Sequence, residues 1–160
     1  MIDLDQKLSP HFTLREMCKS RQHPDIYNIP PYEVVENLKY LCLWLEKLRA
    51  AYNRVYGDGD DVLAVMITSG YRSKQLNKAV GGAKDSNHLT GSAADIRCFG
   101  VEQAIRYYAL LLDIFDQANH DFDELILERK GMSYWVHLAV RKDNNRRRRM
   151  FIGFSDHILC

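Results

Sequence analysis

"FDELILERKGMSYWVHLAV", residues 122–140, decides how this chain folds. It reads as strand, turn, strand, with Gly131 inside the connection. Side chains alternate between the faces of a strand. Tyr134, Val136, Leu138 and Val140 therefore share one face, and Trp135, His137 and Ala139 the other. In the first run, Leu125 and Leu127 match the apolar face, while Glu124, Ile126 and Glu128 match the face of His137. A connection of two or four residues sets Glu128 nearly opposite or diagonal to His137. The hairpin thereby brings a carboxylate beside a histidine that is distant from it along the chain.

Upstream, "SAADIRCF" (92–99) reads as another strand. Ala94, Ile96 and Cys98 form its apolar face; Ala93, Asp95 and Arg97 form the other. Ala93 is small and leaves room beside the Asp95 carboxylate. Just before it, "SNHLTGSAAD" (86–95) has almost nothing large to bury. Gly91 can take a backbone conformation denied to other residues, and so can turn His88 back towards Asp95.

The rest of the chain supplies the layers. "NIPPYEVVENLKYLCLWLEKLRAAYN" (28–53) reads as a long helix entered through Pro30 and Pro31. Val35, Leu38, Cys42, Leu45 and Leu48 make its buried stripe. "VEQAIRYYALLLDIFDQAN" (101–119) is a second, with Ala104, Tyr108, Leu111, Ile114 and Phe115 inward. "VLAVMIT" (62–68) reads as a strand, "SKQLNKAV" (73–80) as a short helix and "RMFIGF" (149–154) as an edge strand. The expected fold is α+β: a single domain over 1–160, with an antiparallel sheet carrying the site and two long helices packed on it.

Composition narrows the function. The chain has 160 residues and a formal charge of +1, enough for one sizeable core. Near-neutral charge gives no support for nucleic-acid binding, and no apolar run reaches the length of a membrane span. The start, "MIDLDQKLSPHF", has neither a basic nor an apolar leader region, so synthesis in the cytoplasm is expected. A substrate outside the cell then requires another agent of delivery. Cys18, Cys42, Cys98 and Cys160 form no C-x-x-C pair and are expected as free thiols. "YGDGDD" (56–61) does not fit a calcium loop and reads as a solvated turn. "NNRRRR" (144–149) has no interleaved aromatics and reads as a solvated hairpin loop.

His88, Asp95 and His137 together make two imidazoles and a carboxylate with open positions. That set suits a catalytic zinc and also matches the ligand types of a non-haem iron(II) site. Glu128 favours the zinc reading, because hydrolysis at a metal needs a group that takes and returns a proton. On spacing alone, ordinary surface or core histidines remain the simpler reading.

The residues also resemble a known family. "TSGYRSKQLNKAVGGAKDSNHLTGSAADI" (68–96) with "WVHLAV" (135–140) is similar to the zinc D-Ala-D-Ala carboxypeptidase family of peptidoglycan peptidases. Its wider fold group includes lysostaphin-type peptidases and the hedgehog signalling domain. The motif Ser-x-His-x-x-Gly-x-Ala-x-Asp is complete in Ser86, His88, Gly91, Ala93 and Asp95. The similarity extends to "HFTLREMCKS" (11–20) and the first long helix. The resemblance implies that His88, Asp95 and His137 hold one zinc ion. It implies cleavage of an amide bond in peptidoglycan peptide stems, by carboxypeptidase or endopeptidase action. Arg72 takes the place of an arginine that faces a substrate carboxylate or oxyanion, and Ser86 that of a substrate hydrogen-bond donor. Many relatives carry an acid three residues before the last histidine; here that residue is Tyr134. Proton transfer then falls to Glu128, from the preceding strand. The alternative is a non-catalytic zinc-containing module, binding cell wall or belonging to a phage particle. A phage lysis enzyme released through a holin pore fits the expected lack of a leader.

Overall fold

Helix α2 (Tyr32–Tyr56) is the longest element, and its N-cap is Pro31, which cannot continue a helix backwards. Val35, Leu38, Cys42, Leu45 and Leu48 are all buried along it, as the periodicity predicts. Helix α4 (Val101–Gln117) buries Ala104, Tyr107, Tyr108, Leu111 and Phe115; Ile114 is only half-buried. The two helices meet where Trp44 stacks on Phe115, with ring centres 4.2 Å apart. Among the described residues, two shorter helices, α1 (Leu14–Cys18) and α3 (Lys74–Ala79), accompany them, with a 3-10 turn at Asn87–Thr90. The structure, a computed structural model, describes residues 2–59 and 62–154. Asp60, Asp61, His157 and Cys160 lie outside the described residues.

Five strands form one sheet in the order β1-β2-β4-β3-β5: β1 (Ile67–Ser69), β2 (Ala93–Cys98), β3 (Glu124–Lys130), β4 (Ser133–Ala139) and β5 (Arg148–Ile152). Ile96, Leu125, Leu127, Val136 and Leu138 point from one face into the core shared with α2 and α4. The alternation of each strand therefore places Asp95, His137, Glu124 and Glu128 on the opposite face.

The sheet is mixed rather than purely antiparallel, because β5 runs parallel to β3. The cause is topological. β4 already has β2 on one side and β3 on the other, so no edge beside it is free. The chain passes beneath the start of β3 to its outer edge, and a strand leaving from there must run in the direction of β3. Residues 144–149 thus belong to a crossover and the start of β5, not to a hairpin loop. They are also largely ion-paired: Arg146 with Asp123 and Glu124, Arg147 with Asp116 and Asp121, and Arg148 with Glu124. The expected strand at 62–68 shrinks to Ile67–Ser69, where β2 provides a partner and the register is irregular.

Candidate metal centre

The sheet register assembles the first half of the centre. Asp95 on β2 stands opposite His137 on β4, and its Oδ1 lies 2.9 Å from His137 Nδ1. The 3-10 turn supplies the other half. Ser86 caps it by accepting the His88 N–H at 3.3 Å, and Gly91 closes it at φ +69°. A side chain at Gly91 would be strained by that φ and would also meet α2. Its Cβ would sit 2.7 Å from Val34 Cγ1 and 3.0 Å from the Val34 carbonyl oxygen. So the turn lies tightly on α2, and His88 Nε2 comes within 3.3 Å of the same Asp95 Oδ1.

Each donor is oriented by a partner on its far side. His88 Nδ1 lies 2.6 Å from the Gly70 carbonyl oxygen. A carbonyl only accepts, so Nδ1 carries the hydrogen and the Nε2 lone pair is left for the centre. Asp95 Oδ2 accepts from Arg72 Nη2 at 2.5 Å, and Arg72 Nε donates to Ser69 Oγ at 2.7 Å. The Arg72 loop is itself latched by buried Asn28, which donates to the Cys18 and Tyr71 carbonyls and accepts from Ser73 N–H. His137 Nε2 faces Glu124 Oε2 at 3.4 Å. Glu124 in turn receives Arg146, Arg148 and Asn87, the residue next to His88. Behind it, fully buried Asp123 accepts from Asn87, Arg141 and Arg146.

Glu128 completes the face. It pairs with Trp135 across the hairpin, which makes it diagonal to His137 on the same side, as the alternation predicts. The connection has two residues, Gly131 and Met132, since Lys130 pairs with Ser133. Tyr134 pairs with Arg129 and Cys98 and follows the core-face alternation, so it takes no part in the centre. Tyr71 packs into the core, whereas Trp135 lines a cleft.

The charges sort these groups by role. Burial opposes ionisation of Asp95, but His88 and His137 overcome it and hold the carboxyl well below its ordinary range. Burial lowers the His88 pKa more than Asp95 raises it. At His137, burial is outweighed by the hydrogen bond to Asp95 and the nearby Glu124 carboxylate, which raise its pKa to about 9. The two glutamates are driven apart. His137, with Asn87 and Arg146, pulls Glu124 down despite its burial, while burial and the nearby Asp95 charge push Glu128 up. One carboxylate is thus held as an anion behind His137, and the other is shifted towards its protonated form.

The donor atoms of His88, Asp95 and His137 all lie within 4.8 Å of one another. Two bonds of about 2.0–2.1 Å at a tetrahedral angle separate their donors by about 3.3 Å. The observed 2.9 and 3.3 Å about Asp95 Oδ1 fit that spacing. A family model described as Peptidase M15 matches residues 10–138. The chain belongs to the peptidase M15 family. That membership bears out the resemblance read from the sequence, and its three ligand-type residues meet at one point in this M15 fold. No curated protein sequence matches the chain. The M15 match ends at residue 138, so the arginines that brace Glu124 lie beyond it.

Sequence reasoning located the triad and the face of Glu128. It did not find the Gly70 carbonyl, which has no side-chain signal, or the Asn87–Asp123–Glu124 brace. The one signal for the brace was Glu124 sharing the face of His137. Arg72 and Ser86, expected at the substrate, are engaged with Asp95 and with the His88 turn respectively.

Proposed function

We propose that this M15 peptidase is a zinc enzyme that hydrolyses an amide bond in peptidoglycan stem peptides. The observation that carries the reading is the joint placement of a His88–Asp95–His137 donor set and the Glu128 carboxylate on one sheet face. Zinc bound by those three residues supplies a Lewis acid for the scissile carbonyl and lowers the pKa of water at the site.

The chain's own groups do the rest. Glu128 takes a proton from the attacking water and returns it to the leaving amide nitrogen. Its raised pKa makes it a better acid in the second step without removing its basicity in the first. Arg72 holds Asp95 by its Oδ2, so that Oδ1 stays turned to the two histidines. The other terminal nitrogen of Arg72 makes no hydrogen bond among the described residues, and it and the Ser86 hydroxyl are the donors offered to substrate. Glu124 and Gly70 keep the imidazoles in their tautomers and orientations.

The test is Glu128→Gln. The variant retains its zinc, measured by elemental analysis, and loses turnover of stem peptides by about 10²–10⁴-fold. Wild-type turnover in a zinc-replete variant would remove Glu128 from the mechanism.

A further inference from the structure

The face that carries the metal ligands continues past them. Arg97 follows Asp95 by two positions on β2, and Trp135 precedes His137 by two on β4; Arg97 and Trp135 are themselves paired. Alternation puts all four side chains on the same side. A rise of about 3.4 Å per residue sets the Arg97–Trp135 row about 7 Å beyond the Asp95–His137 row. Glu128 stands in the Arg97–Trp135 row, across Trp135 from Arg97.

A cleft of about 440 Å³ opens over this row. Arg97, Thr68 and Trp135 line it, with Arg21 from the segment between α1 and α2, and Phe99 and Met132 on its walls. Neither Arg21 nor Arg97 meets a carboxylate among the described residues, unlike Arg72, Arg146 and Arg148. Arg97 is half-buried, and its guanidinium carbon lies 4.8 Å from the centre of the Phe99 ring. The stack positions that charge without neutralising it. Met132 is 85% exposed and Phe99 65% exposed, so two large apolar side chains sit at the rim uncovered by any of the described residues.

We propose that this cleft is a substrate subsite for a free carboxylate on the peptide, displaced by about two residues from the bond that is cut. The inference rests on the peptidase reading above. Two guanidinia between low-dielectric walls concentrate positive potential at the cleft. A forked guanidinium suits a carboxylate, and the aliphatic backbone of an acidic residue fits against Trp135, Phe99 and Met132. Stem peptides carry such groups. The subsite makes the enzyme select stems that carry a free acid at that distance, for which the D-glutamate α-carboxylate is the probe, over those in which the acid is amidated.

The test uses two synthetic probes, a stem pentapeptide with the D-glutamate α-carboxylate free and the same peptide amidated there. Zinc-loaded wild type, Arg97→Gln and Arg21→Gln are compared by kcat/KM, and by calorimetric binding in a Glu128→Gln background. Wild type prefers the free acid by about tenfold to a hundredfold, the range of a charge-assisted contact. Arg97→Gln removes most of that preference, through KM for the free acid. Arg21→Gln, on an exposed loop where folding is not at stake, removes part of it. Equal preference in wild type and both variants, with cleavage intact, overturns the subsite and leaves the peptidase reading standing. Binding that favours the free acid and depends on Arg97, without any cleavage, supports the subsite and overturns the catalytic reading. Neither binding nor cleavage by wild type overturns both.

Discussion

Replacing Gly91 with Ala isolates the contact that delivers His88. Two costs add at this position. The backbone sits at φ +69°, which costs an L-residue about 1–2 kcal/mol. The new Cβ would also lie 2.7 Å from Val34 Cγ1 and 3.0 Å from the Val34 carbonyl oxygen. Neither can yield easily, because one belongs to a buried side chain and the other to the backbone of α2. Overpacking of this kind costs about 1–3 kcal/mol. The expected loss is therefore about 3 kcal/mol, with the lower and upper limits set by those two ranges. Gly81 provides the control: its φ is +73°, yet nothing lies within 4 Å of its would-be Cβ. Gly81→Ala should show only the backbone part, about 1 kcal/mol. Urea denaturation of both variants measures the difference directly. Relief of the clash at Gly91 pushes the turn off α2 and withdraws His88 Nε2 from Asp95, so zinc affinity should fall in Gly91→Ala and not in Gly81→Ala. Equal stability losses in the two variants, with zinc affinity unchanged in both, would refute the reasoning.

Other perturbations probe other parts of the structure. Glu124→Gln removes the anion behind His137 while keeping its shape, and should weaken zinc binding by about 10–100-fold in a chelator competition. Burial opposes ionisation of Asp123, but its partners Arg146, Asn87 and Arg141 hold the carboxyl below its ordinary 3.8. A depressed carboxyl adds stability that is complete above the ordinary value and is lost as pH falls below it. Asp123→Asn should thus cost about 3 kcal/mol at neutral pH and progressively less below pH 4, read as converging urea midpoints. Burial pushes the Cys18 and Cys98 thiols up to about 12 and raises Cys42 as well. In a Cys160→Ser background, a thiol reagent should label none of the three in the native state and all three in denaturant.

The parts of the site that the sequence disclosed are those that local rules determine. Two-residue periodicity set Asp95 and His137 on the face of their strands opposite the apolar core, and the small Ala93 marked room beside Asp95. Glu128 was legible for the same reason, once a two-residue hairpin fixed the register. The unreadable parts depend on tertiary closure. Whether the last strand joins β4 or β3 turns on which edge is free, and no pattern within residues 149–154 encodes that. The arginine run looked like a solvated loop because its partners, Asp116, Asp121, Asp123 and Glu124, lie more than twenty residues away. Residues 62–66 have strand composition, but only Met66 meets β2, its carbonyl accepting the Arg97 N–H at 2.9 Å, and the rest remain irregular.

The most direct test of the account is mass spectrometry of purified peptidoglycan fragments after incubation with the zinc-loaded protein, with Glu128→Gln as control. The account predicts a new fragment from wild type only, either short of a terminal alanine or split between two stem residues. Unaltered fragments from a wild-type protein with its zinc in place would contradict it.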